Sequence, residues 1–177
     1  DHGMRDVAQP LAADPQEAMG LFAFVPGKRL APYDIDRPEM QAAAEFFRDV
    51  NRLRSAPAAN DIDDGFEASF SEDEAIARVG ARVSALQSIA TPTPASEATR
   101  DLIQGPLLAA WNRVREALES TSTGGERQEP LPRSRQCLSP VDFGFHNFLA
   151  RSVGSGVFHD FEYSGWGDTA RMACDFF

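Results

Sequence analysis

Between residues 36 and 119 apolar side chains recur at helical spacing, and after residue 135 that spacing is lost. This change of period constrains the fold more than any other feature, because a helix-period pattern does not settle as a strand. Asp36-Arg37-Pro38-Glu39 reads as a helix start. Asp36 can cap, Pro38 suits the first turn, and Glu39 adds a favourable negative charge near the N-terminus. The stripe Met40, Ala43, Ala44, Phe47, Val50 and Leu53 carries this helix to residue 54. Ser71 followed by Glu74 has the capping-box spacing and opens a second helix, with Ile76, Val79, Val83, Leu86 and Ile89 inward. Thr91-Pro92-Thr93-Pro94 breaks it. A third helix is expected over 97–119, with Leu102, Leu107, Trp111, Val114 and Leu118 on one stripe, kinked or split at Gly105-Pro106.

The flanking segments follow other rules. Leu21-Phe22-Ala23-Phe24-Val25 has the length and aromatic content of a buried strand, closed by the turn signal Pro26-Gly27. Residues 4–11 read as a further short strand or irregular stretch. Residues 55–70 and 120–135 read as loops. Cys137-Leu138, Phe148-Leu149-Ala150 and Val157-Phe158 look like short strands around polar loops, and Asp168 caps a final helix. Strands, then helices, then strands carrying polar loops, then a helix is an α+β order rather than alternating βαβ.

Composition narrows the function classes. A chain of 177 residues is long enough for one domain with a substantial core, and thirteen Phe against two Tyr points to aromatics that fill it. A net charge of −10 argues against a nucleic-acid partner, which needs a basic surface. It is compatible with a cationic substrate and equally with an ordinary acidic protein. No apolar run reaches the roughly 18 residues of a membrane span, and no leader pattern opens the chain, so a cytoplasmic protein without a membrane partner is expected. Cys137 and Cys174 read as buried thiols rather than a disulfide, and nothing has a Cys/His zinc spacing. The chain opens on Asp1 and stops within the apolar run Cys174-Asp175-Phe176-Phe177, which reads as a fragment of a longer protein. Nothing in it fixes the oligomeric state.

The chemistry concentrates in two short segments. Ser139-Pro140-Val141-Asp142-Phe143-Gly144-Phe145-His146-Asn147 holds an Asp with an Asn five positions later, and Asp160-Phe161 follows thirteen residues after that Asn. A phosphoryl group under transfer needs little covalent help, so catalysis is mainly positioning and charge stabilisation. One carboxylate must orient the acceptor hydroxyl and take its proton, a role that suits Asp142. Magnesium prefers oxygen ligands, which Asn147 and Asp160 can give as an amide oxygen and a carboxylate. The residues between them can form a hairpin that returns Asp160 beside Asn147. Asp142-Phe143-Gly144 spells the metal-binding tripeptide of protein kinases, but that reading needs an Asp-x4-Asn some 18 residues upstream. Residues 113–136 contain neither Asp nor Asn, so Asp142 takes the catalytic position and Asp160 the metal position.

Together with Asp160-Phe161-Glu162-Tyr163-Ser164-Gly165-Trp166-Gly167-Asp168, this segment resembles the aminoglycoside phosphotransferase family. Leu21-Phe22-Ala23-Phe24-Val25-Pro26-Gly27-Lys28-Arg29-Leu30 is similar to the strand and hinge between that family's two lobes. The resemblance implies a protein-kinase-like fold, with 1–30 as an N-lobe remnant and hinge and 31–177 as a helix-rich C-lobe truncated at its C-terminus. It implies ATP or GTP as phosphoryl donor, Mg2+, and a small hydroxyl-bearing acceptor such as an aminoglycoside or another sugar or amino alcohol. By motif position Asp142 is the catalytic base, Asn147 and Asp160 are magnesium ligands, and the backbone of Phe22, Ala23, Phe24 and Val25 holds the adenine edge. Asp175 is placed to brace the catalytic loop.

Two departures matter. Pro140 stands where the family usually has His, and no Gly-rich phosphate loop precedes the hinge. They keep a second reading open, a non-catalytic kinase-like module of pseudokinase or regulatory type. His146 and His159 flank the site and read as hydrogen-bonding or structural, since magnesium prefers oxygen. Asp61, Asp63, Asp64 and Glu67 read first as solvated loop carboxylates and second as a subsite for a polycation. Glu162 is a further candidate for a substrate or metal contact. Trp166 reads as a packing anchor before a stacking platform.

Overall fold

The computed structural model describes Met4 and residues 6–88, 94–121 and 124–176 as a mixed α+β protein. The chain divides into two compact units, residues 1–68 with 133–177, and residues 69–132.

The first unit contains all the strands among the described residues. β1 (Pro10–Asp14) and β2 (Met19–Phe22) form an antiparallel hairpin. β3 (Lys28–Arg29) pairs antiparallel with β5 (Phe148–Ser152), which pairs in turn with β6 (Ser155–Phe158). β4 (Gln136–Ser139) pairs antiparallel with β7 (Gly165–Asp168), setting Leu138 opposite Trp166. The expected buried strand at 21–25 is corrected. β2 ends at Phe22, and Leu21, Phe22 and Phe24 are exposed, Phe24 to 90%. A two-stranded hairpin has no second layer to bury its faces against, so apolar content alone does not take it inside.

Helix α1 (Arg37–Arg52) begins where the sequence places it. Asp36 is the N-cap, and Glu39 closes a capping box by accepting from the Asp36 N–H at 3.2 Å. The other Glu39 oxygen accepts from the Gly154 N–H at 3.0 Å, in the turn between β5 and β6. Gly154 has φ +63°, where a side chain would be strained and would press on Pro38. One carboxylate thus ties the start of α1 to the hairpin turn. This tie holds the Glu39 carboxyl below its ordinary value of 4.5, chiefly through the Gly154 N–H. A carboxyl lowered by folding lends stability above its unfolded value and loses it as pH falls through its folded value. Glu39→Gln should therefore be less stable than wild type at neutral pH, and the gap should close on acidification below 4.5. Urea melts at several pH values check this; a gap that widens in acid would refute it.

α1 packs Ala43 and Phe46 into the core with Cys137, Phe143, Phe148, Ala150, Phe158 and Met172. Phe158 is its hub, with ring centroids 4.7 Å from Phe46, 4.7 Å from Phe148 and 4.9 Å from Phe143. Such aromatic pairs contribute about 0.5–1.5 kcal/mol each beyond area burial.

The second unit is helical. α2 (Glu72–Gln87) is capped by Ser71, whose hydroxyl accepts from the Glu74 N–H at 3.2 Å. Val83 is buried, whereas Val79 and Leu86 are exposed to 44% and 39%. Ile89 and the break at 91–93 lie outside the described residues. α3 (Pro94–Leu102) and α4 (Leu108–Thr121) are joined by a π turn, Ile103–Leu107, that contains Pro106. The kink or split expected at Gly105-Pro106 is this turn, since a π turn accommodates the hydrogen bond that proline cannot donate. α5 (Gly124–Gln128) forms where a loop is expected. Back in the first unit, α6 (Thr169–Phe176) follows β7, and Asp168 Oδ1 accepts from the Ala170 N–H at 3.0 Å. Cys137 is buried and Cys174 exposed, both as free thiols, which corrects the expectation of two buried ones. Burial pushes the Cys137 thiol up. Among the described residues no helix is long and apolar enough to cross a membrane.

Candidate functional site

The loop between β4 and β5 holds Asp142 and Asn147. Its apolar residues anchor it from beneath. Phe143 is buried against Phe46, Phe158 and Phe176, and Phe145 packs on Phe148 and Phe176. With alternate residues pinned inward, Asp142 and His146 face solvent at 55% and 58% side-chain exposure. Asn147 is buried.

Asn147 and His146 grip the Asp142 carboxylate from two sides. Asn147 Nδ2 donates to the Asp142 backbone carbonyl at 3.1 Å and to Oδ2 at 3.3 Å. His146 Nε2 lies 3.1 Å from Oδ1, where its Nε2–H tautomer donates. Asn147 Oδ1 takes no hydrogen bond among the described residues. With the amide nitrogen committed to Asp142, the amide oxygen is the group left for a ligand.

The β5–β6 hairpin returns the chain as expected. Phe148 pairs with Phe158, and the His159 N–H donates to the Asn147 carbonyl at 3.0 Å. Asp160 follows one residue later, exposed and without an ion pair among the described residues. Asp142, Asp160 and the preceding Val141 share an unusual backbone, with φ +49°, +67° and +44°. Left-handed conformations cost an L-residue roughly 1–2 kcal/mol, less for Asp, and such strain concentrates at functional sites. Val141 is β-branched and is the clearest outlier of the three.

Negative charge converges on this edge. The Tyr163 hydroxyl is raised above its ordinary value, first by its hydrogen bond with Glu162, then by the Glu162 charge, burial, and the charges of Asp160 and Asp142. The Tyr163 ring centroid lies 5.0 Å from that of Phe66 in a tilted contact, and both rings are partly exposed. Trp166 is the packing anchor, 2% exposed, with its indole N–H donating to the Ala59 carbonyl at 2.9 Å. The Arg133 guanidinium covers its ring at 3.4 Å. Pro140 is buried and offers no N–H, so the brace on Asp142 comes from Asn147.

Other singled-out residues lie elsewhere. Phe22 ends β2, and Ala23, Phe24 and Val25 lead from it toward β3. The Ala23 N–H donates to the Gln9 carbonyl at 2.8 Å, while Phe24 and Val25 make no backbone hydrogen bond among the described residues. Asp175 pairs with Arg171 at 3.4 Å rather than with residues of the β4–β5 loop. Arg171 also donates to the Glu67 carbonyl. Asp63 and Asp64 are tied by their backbones to Trp166.

The donor set can be tested against magnesium. Among the described residues no three His, Cys, Asp or Glu side chains gather as a metal-holding group. Asn147 Oδ1 and the Asp160 carboxylate are both oxygen donors without a hydrogen bond or ion pair among the described residues, which suits a hard ion that takes one or two protein ligands and completes its shell with phosphate and water. The residues fit.

No family model, curated protein or solved structure matches this chain. The chemistry of this edge therefore carries the functional reading by itself.

Proposed function

We propose that this chain carries the catalytic machinery of an ATP-dependent phosphotransferase with a protein-kinase-like fold, acting on a hydroxyl of a small molecule. The observation that carries the reading is the Asp142 carboxylate, gripped on both oxygens and exposed on a left-handed loop, with Asp160 on the returning arm of the same hairpin. Hydrogen-bonded positioning of one carboxylate is what phosphoryl transfer asks of a protein. The acceptor hydroxyl donates to Asp142, its oxygen attacks the γ-phosphorus, the bond to the β–γ bridging oxygen breaks, and the proton passes to Asp142. Asn147 and Asp160 would hold Mg2+, which when bound neutralises charge on the transferring phosphates. The uncommitted backbone of Phe24 and Val25 supports their role against the donor's adenine, with Phe22 and Ala23 beside them. ATP and GTP both fit that role. The net charge of −10 is compatible with acceptors that carry an amine, aminoglycosides and amino alcohols among them.

The test is a phosphorylation screen of the full-length protein with MgATP and MgGTP across aminoglycosides, sugars and amino alcohols. Transfer to none of them, with magnesium and nucleotide in excess, would remove the reading. Asp160→Ala should weaken magnesium-dependent ATP binding about tenfold or more, as loss of a charged ligand does, while leaving magnesium-free binding unchanged. Calorimetric titration with and without magnesium measures both. A second reading, a non-catalytic kinase-like module, draws on the exposure of Leu21, Phe22 and Phe24, which leaves the nucleotide segment without a buried wall. A thermal-shift titration separates the two: no stabilisation by MgATP favours the non-catalytic module.

A further inference from the structure

Resting on the phosphotransfer reading, the geometry points to His146 as a positioning residue for Asp142, acting through Oδ1, and to Gly144 as the residue that makes room for it. Asn147 alone does not fix the carboxylate. It holds Oδ2 and the backbone carbonyl, which leaves rotation about the side chain to be settled by whatever grips the other oxygen. His146 Nε2, 3.1 Å from Oδ1, is that group. The two donors come from adjacent residues and reach opposite oxygens, so the carboxylate plane is set by a clamp of two side chains.

The loop is built for this contact. His146 sits four residues after Asp142, and its ring must fold back over the intervening backbone to reach it. That path crosses Gly144. A Cβ at Gly144 would stand 2.8 Å from both Nδ1 and Cε1 of the His146 ring. Gly144 itself has φ −168° and ψ 173°, extended backbone that any residue adopts, so glycine is not demanded there by conformation. The space for the imidazole is what a side chain at 144 would remove. Phe143 and Phe145 on either side are anchored in the aromatic core, so the backbone cannot easily shift to restore it. Magnesium prefers oxygen, and His146 is committed to Asp142, so the ring serves the carboxylate rather than the ion.

A misoriented base loses rate without losing substrate, and displacement by about 1 Å can cost on the order of a hundredfold. The experiment follows MgATP turnover by the full-length protein, with water as acceptor, through phosphate release. His146→Ala should lower kcat about tenfold or more with KM for MgATP within about twofold. His146→Gln places an amide nitrogen near the ring Nε2 and should restore most of the loss. Gly144→Ala should mimic His146→Ala, and the double variant should be no worse than either single one, because both remove one contact. The His146 Nε2 resonance in 15N spectra should move in Asp142→Ala. Wild-type turnover in His146→Ala, additive losses in the double variant, or a resonance indifferent to Asp142→Ala would overturn the role. Turnover in wild type no higher than in Asp142→Ala would remove the phosphotransfer reading and the positioning role with it. The resonance reports the contact independently, so the two failures are distinguishable.

Discussion

Asp142→Ala in the full-length protein is expected to lower phosphoryl transfer by about a hundredfold to ten-thousandfold, the range over which a positioned base contributes, with MgATP affinity changed by less than about twofold. The separation follows from geometry. The carboxylate is exposed and held by His146 and Asn147, while Asn147 keeps a second bond to the backbone carbonyl of residue 142 that an alanine also supplies. The loop therefore retains its brace when the side chain is gone. Phe143 and Phe145 retain their aromatic contacts as well. Asp142→Gly extends the argument. Its φ of +49° suits glycine better than alanine, so relief of left-handed strain offsets part of the loss of two hydrogen bonds, one exposed and one part-buried, each worth about 1 kcal/mol. That variant should melt above the alanine variant and yet be as inactive. A residue kept for structure would show the reverse, activity lost only in step with stability. Near-normal turnover in either variant, measured under saturating MgATP, would remove Asp142 from the catalytic role.

What the sequence makes legible is mostly local. Asp36 and Glu39 announce a capping box because the partners lie three residues apart, and the structure forms it. Ser71 caps its helix for the same reason, although Glu74 reaches back to the Phe70 N–H at 2.7 Å rather than to Ser71. The stripe on α1 has the right period and a displaced centre. Phe46 is buried and Ala44 exposed, because which of two adjacent apolar faces turns inward is decided by Phe143 and Phe158, distant in sequence. β7 escapes a sequence reading altogether. Gly165-Trp166-Gly167 has poor strand propensity, and it is a strand because β4 lies beside it.

The site divides in the same way. The spacing of Asp142, Asn147 and Asp160 is visible in the chain, and so is the hairpin that brings the last two together. The left-handed backbone at Val141 is not, since a β-branched residue is among the least expected to adopt it. Nor is the grip of His146 on Asp142, although a four-residue separation across a glycine is the signal that points to it. Asp175 shows the opposite failure. Motif position sends it to the catalytic loop, but a helical i,i+4 neighbour, Arg171, is closer at hand.

Gly165→Ala should be among the most damaging single methyls in the first unit. A Cβ built there falls 2.5 Å from the Asp63 carbonyl oxygen and 2.6 Å from Gly65 Cα, and closer still to Gly65 N. All three are backbone, so no side chain can swing aside. The strand and the 63–65 segment are held together by the Trp166 N–H donating to Asp63 at 3.0 Å and the Gly65 N–H donating to Trp166 at 2.8 Å. Separating them breaks both bonds and pulls Trp166 from the Ala59 carbonyl that satisfies its buried indole N–H. Overpacking costs about 1–3 kcal/mol, and a buried donor left without a partner adds about 1–3 more. Against a total stability of about 5–15 kcal/mol, the variant should be extensively destabilised and partly unfolded at 37 °C. Gly125→Ala is the matched control. A Cβ there meets nothing within 4 Å, and its place in α5 means the methyl should stabilise by up to about 1 kcal/mol. Urea denaturation of the two variants side by side checks the contrast. If Gly165→Ala melted with wild type, the close approach of β7 to the 63–65 segment, and with it the frame that carries Trp166 and the chain leading back from Asp160, would be wrong.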